Sequence, residues 1–271
     1  MRRSRLTGQV ATLLAAIALV GGCATSGDVA QDRPSAADES RARAHQSVGA
    51  NHLREGRLPL AIRELRASEA LNPGDRWTQL TLAEAYRMKG LNADAERHLH
   101  KALEIDPTFQ DARLTLSGLY IQTDRYREAI EEAQILIDDP TFPQPWTALT
   151  NKGWALLRLE RRAEAREALV AAIEYNERYW RAQLNLGILD SEEGKRIDAI
   201  ERFERVIELA GPLGNAEANY RIAEIYISLG LTDEARRTAS VLGHNYPGSP
   251  WYNRAYRLIY FKEPRDKLAK S

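Results

Sequence analysis

Among 271 residues there is a single cysteine, which excludes an internal disulfide framework and any thiolate-based metal cluster. Net charge is missing too: 38 Lys and Arg balance 38 Asp and Glu. Three of the basic residues, Arg2, Arg3 and Arg5, lie in a segment expected to be removed, which leaves the mature chain slightly acidic. Binding nucleic acid requires a basic stripe that neutralises phosphates, so nucleic acid is not an expected partner. The apolar run from Val10 to Val20 has eleven residues, short of the roughly twenty that a helix needs to cross a bilayer.

Catalytic signatures are lacking as well. There is no zinc-protease motif, nucleophile elbow or phosphate-binding loop. Gly187, Gly194 and Lys195 imitate the last only loosely, because the glycine spacing differs and Arg196 stands where a hydroxyl is required. Of the histidines (His45, His52, His98, His100, His244), only His98 and His100 are close, and an i, i+2 spacing sends them to different helix faces. Charged residues such as Glu131, Glu132, Arg161, Arg162 and Glu164 recur at helical spacing, the pattern of a solvated outer face. No enzyme, cofactor, metal site or small-molecule substrate is expected.

What is present begins with a signal peptide over residues 1–22: a basic start, the apolar run, then Gly21-Gly22-Cys23. The stretch Leu19-Val20-Gly21-Gly22-Cys23 resembles the bacterial lipobox, in which small residues precede a cysteine that becomes lipidated. The alternatives are an ordinary signal peptide beside an unrelated cysteine, or a buried free thiol. By that resemblance Cys23 carries three acyl chains, enough for stable anchoring where one chain gives only marginal binding. Ala24, in place of the aspartate that commonly retains such proteins at the inner membrane, points to the outer membrane, periplasmic face. Residues 23–41 then read as a polar tether without apolar period, reaching about 20–25 Å from the bilayer.

Beyond the tether the chain repeats. Ala61, Ala95, Ala129, Ala165, Ala199 and Ala235 are spaced by 34, 34, 36, 34 and 36 residues, and twelve residues before each stands Gly49, Ala83, Ser117, Gly153, Gly187 or Ala223. Two small positions per unit let paired antiparallel helices approach and interlock. Apolar residues precede the first (Val48, Leu82, Leu116, Leu186, Ile222), a tyrosine often follows it (Tyr86, Tyr120, Tyr226), and Gly56, Gly90, Gly194 and Gly230 mark the turns. Leu65, Leu99, Leu169 and Phe203 follow four residues after the alanine, and Pro73, Pro107 and Pro247 close their units. This pattern resembles the tetratricopeptide repeat. It implies an all-α, right-handed α-solenoid of six helix-turn-helix repeats over 42–75, 76–109, 110–143, 146–179, 180–213 and 216–249.

Departures from the pattern carry information. Lys152 and Asp190 are polar where packing is expected, and the two-residue insertions fall in Asp139 to Pro145 and Gly211-Pro212-Leu213-Gly214, which read as joints where the superhelix bends. Residues 250–271 form a capping helix and tail, since Arg257 at the small position prevents a further helix from docking. In such arrays, first-helix residues flanking the small position point into the concave surface. The expected partner-binding groove holds Leu53, Trp77, Leu80, Arg87, Leu114 and Ile121, continued by Glu84, Trp154, Leu157, Ile188, Tyr220 and Ile227. Its apolar character suits an apolar peptide or helix, and units one to three are the expected site.

Signal peptide, lipobox, tether and six repeats together resemble the type IV pilus pilotin family of the PilF/PilW/Tgl type. Local stretches add to the match: Cys23-Ala24-Thr25-Ser26-Gly27-Asp28 at the mature start, the proline-containing Asp139 to Pro145, and Tyr246-Pro247-Gly248-Ser249 near the end. The resemblance implies a lipoprotein that binds a secretin subunit, escorts it to the outer membrane, promotes its assembly into a multimer and so serves pilus biogenesis and twitching motility. Cys23 is the one functional residue it carries over. A repeat lipoprotein that scaffolds peptidoglycan hydrolases or other envelope enzymes shares the same fold and anchor, and remains the alternative.

Overall fold

The computed structural model describes residues 34–261. The expected signal peptide, the lipidated Cys23, the first part of the tether and the end of the tail lie outside the described residues. Within them, twelve helices form six antiparallel pairs: α1 (Ala36–Arg54) with α2 (Leu58–Leu71), α3 (Arg76–Met88) with α4 (Asn92–Ile105), α5 (Gln110–Gln122) with α6 (Tyr126–Ile137). The second half continues with α7 (Pro145–Arg158) and α8 (Arg162–Tyr175), α9 (Trp180–Glu192) and α10 (Arg196–Leu209), α11 (Pro212–Ser228) and α12 (Thr232–Asn245). A short α13 (Pro250–Tyr256) follows, and its last turn widens into a π-helix at Arg257–Phe261. Each helix packs on the other member of its pair and on the next unit, which winds the stack into a right-handed superhelix.

The small positions explain the pairing. A Cβ placed on Gly49 would stand 2.6 Å from Cγ of Leu65, and one on Gly153 2.7 Å from Cγ of Leu169, so these helices cross where only hydrogen fits. Ser117 instead donates a hydrogen bond from Oγ to the Ala129 carbonyl at 3.0 Å, satisfying its hydroxyl inside the same crossing. The period alanines and their facing leucines are fully buried. Asp75 caps α3 by accepting from the backbone N–H groups of Trp77 and Thr78, while Pro145, Pro212 and Pro250 start their helices where no amide donor is needed.

Three expectations change. First, α1 starts at Ala36, capped by Ser35, so the last residues of the expected tether are helical. Second, α11 begins at Pro212: the insertion after Gly211 lengthens a helix instead of forming a free turn. Third, the Asp139 to Pro145 insertion is plugged by Phe142, which is buried against Ala133, Leu136 and Ala148. The stacking of α7 on α6 is accordingly tight. Among the described residues the core forms five clusters: one fills units one to three and reaches Ala155 of α7, a second fills units four and five with the near side of α11, a third unit six and the cap, a fourth joins α6 to α7 around Phe142, and a fifth lies between α7, α8 and α9.

Both polar departures are satisfied. Asp190 is 1% exposed and receives Arg166 at 2.6 Å and Arg202 at 2.7 Å, an ion-paired centre in place of a tyrosine. Lys152 donates to Oε1 of Gln134 at 2.7 Å, reaching across from α7 to α6. No helix among the described residues is long and apolar enough to cross a membrane.

Candidate protein-binding groove

First helices of successive units line the inner surface, so each unit contributes the same positions one step further along. Between α5, α7, α9 and α11 this surface sinks into a cavity of about 240 Å³. Its apolar side is Ile121, Trp154, Leu184 and Ile188, and its polar side is Thr150, Asn151, Asn185, Arg181 and Glu217. Asn151 and Asn185 occupy equivalent positions in units four and five. Asn151 donates weakly to Ser117 Oγ at 3.3 Å, and the Asn185 side chain makes no hydrogen bond among the described residues. Each carboxamide offers both a donor and an acceptor, the pair that a peptide main chain requires.

The residues expected in the groove are placed differently from one another. Leu53 and Leu80 are buried in the core of units one to three. Leu157, Ile188 and Tyr220 are also buried, although Ile188 still borders the cavity. Trp77 is 45% exposed, with Phe109 edge-on at 4.7 Å and the Arg76 guanidinium over its ring at 5.7 Å. Glu84, Arg87, Leu114, Ile121, Trp154 and Ile227 are half-buried. Of the six residues first named, Ile121 alone borders the cavity, which lies across units three to six. Asn151, Asn185 and Arg181 escaped sequence reasoning: Arg181 shares the repeat position of Trp77, but Asn151 and Asn185 stand two residues before the small position, a register that none of the expected groove residues has.

Electrostatics on the inner surface are local. Burial pushes the Glu84 carboxyl up from the ordinary range, with Arg87 opposing and Asp111 adding to the shift. Beside the cavity, Arg221 is held between Glu217 at 3.2 Å and Glu224 at 3.3 Å and lies against the rings of Tyr220 and Trp251, so the cap is tied to α11. His98 and His100 diverge: the former is buried against Gln79, the latter exposed beside Tyr120. Among the described residues no cluster of His, Cys, Asp and Glu could hold a metal ion.

Stacked helix pairs with small crossing residues and an inner peptide-sized groove define a repeat protein built to hold another polypeptide. Tetratricopeptide-repeat family models match residues 87–152 and 190–259, with a further one over 150–189, and the chain belongs to that family. In sequence it is 28% identical over 217 residues to the outer membrane protein assembly factor BamD of Caulobacter vibrioides, covering 79% of this chain and 68% of that protein. It is 24% identical over 246 residues to the type IV pilus assembly protein PilF of Pseudomonas aeruginosa, covering 88% of this chain and 94% of that one. In structure it matches PilW, a type IV pilus biogenesis factor, with a TM-score of 0.68 at 20% identity over 78% of this chain and 96% of that one.

Proposed function

We propose that this chain is an outer-membrane lipoprotein that acts as a pilotin. Acyl groups on Cys23 moor it to the periplasmic face, the groove of units three to six takes a segment of a secretin subunit, and tethering raises the concentration of captured subunits beside the bilayer. The observation that carries this reading is the span of the PilF likeness, which covers 88% of this chain and 94% of that one. The groove supports it physically: carboxamides for a main chain and a Trp154–Ile188 side for apolar side chains are what an extended or amphipathic segment needs.

The BamD likeness supports a second reading, in which the client belongs to outer-membrane protein assembly at large. Deleting the gene separates the two. The pilotin reading predicts loss of the detergent- and heat-resistant secretin multimers with other outer-membrane proteins at normal levels. Intact multimers would contradict it, and a general fall in outer-membrane proteins would favour the second.

A further inference from the structure

Charge is balanced over the whole chain but not at its carboxy-terminal end. From Ala235 to Phe261 there is no Asp or Glu, whereas Arg236, Arg237, Arg254, Arg257 and His244 lie in that stretch. Arg236 and Arg237 are paired with Asp233 and Glu234 one turn earlier, but among the described residues neither Arg254 nor Arg257 enters an ion pair. The same end is aromatic. Tyr252, Tyr256 and Tyr260 succeed one another at helical spacing, with Tyr256 43%, Tyr260 53% and Phe261 65% exposed. Gly243 keeps the groove between α12 and α13 open to Tyr252, whose ring would stand 2.8 Å from a Cβ there. That groove holds a cavity of about 350 Å³ between Arg236, Ser240 and His244 on one side and the three tyrosines on the other.

We propose that this end of the superhelix is a docking surface for an anionic lipid bilayer. Arg254 and Arg257, which have no ion-pair partner among the described residues, are drawn to a negative surface. Tyrosine and phenylalanine left exposed at the same end of the stack suit the boundary between headgroups and acyl chains, where a ring has an apolar body and, in tyrosine, a polar tip. The cavity matches a phosphate headgroup, with Arg236 and the tyrosine hydroxyls as donors. Charge complementarity favours lipid over an apolar protein segment, because burying Arg254 and Arg257 against apolar groups would leave two charges unpaired. A capping helix thereby acquires a second task beyond closing the core.

The test compares the full chain carrying Cys23→Ser with the same chain also carrying Arg254→Gln and Arg257→Gln, by flotation with vesicles. The vesicles are phosphatidylcholine alone or with about one third phosphatidylglycerol. The parent should partition more strongly onto the anionic vesicles, and each neutralised arginine should weaken that about fivefold. Tyr260→Ser with Phe261→Ser should weaken it as well, with far-ultraviolet circular dichroism unchanged since both rings are exposed. Equal partitioning of parent and double-arginine variant, or no preference for phosphatidylglycerol, would overturn the proposal. So would binding of poly-glutamate at this end without binding of vesicles.

Discussion

Gly187 occupies the small position of unit five opposite Phe203, the bulkiest residue at its position in the array, and a Cβ there would stand 2.8 Å from the ring. An aromatic ring sealed in the second core cluster has no free end to move aside. Gly187→Val should therefore lose about 1–3 kcal/mol through overpacking. A thermal melt with an unchanged midpoint would contradict this. His98 behaves differently, because its burial is polar. Gln79 uses its amide nitrogen toward Glu69 and Pro73, so its Oε1 accepts from His98 Nδ1–H at 2.7 Å. That fixes the neutral tautomer and leaves Nε2 enclosed without a partner.

Burial lowers the His98 pKa from 6.5 to about 4, with Glu69 opposing. The unfolded chain thus binds the proton first as pH falls, and the stabilisation, complete above 6.5, is lost progressively down to about 4. The full loss is of the order of 3 kcal/mol by linkage. Measured midpoints should fall across that window, and His98→Gln should flatten part of the slope. Identical profiles for the two proteins would argue against it.

Helices and turns show which parts of the structure were legible in the sequence. The helix pairs follow from alanine and glycine spacing because a crossing admits nothing larger, and that constraint is visible residue by residue. The turns follow only in part. Gly56, Gly90, Gly194 and Gly230 sit at φ of 72–80°, and Asp124 and Glu160 adopt the same left-handed conformation at 58° and 60° without being glycine. A side chain there costs about 1 kcal/mol, so Glu160→Gly should raise stability by up to that amount. A lowered melting temperature would mean that Glu160 makes a compensating contact. The extent of α1 and α11 was hidden because Ser35 and Gly211 look like ordinary loop residues until the helix they introduce is seen.

Over the described residues, the three larger core clusters stack end to end, and a smaller one around Phe142 bridges the first insertion. Phe142 makes the first of these junctions solid, so the cavity across units three to six spans it on packed helices. The groove itself was the least legible feature, since first-helix positions alternate between core and surface over a single residue. Leu80 and Leu53 went to the core and Asn151 and Asn185 to the cavity, as hydropathy ranks them, whereas position within the repeat assigns the two leucines to the groove. A photo-crosslinking residue at Asn185 in living cells, with one at the outer-face position Glu204 as control, reads the occupancy of that groove. Immunoblotting should detect a secretin adduct at 185 and none at 204; adducts confined to 204, or none at either, would mean that the inner surface is not where the client is held.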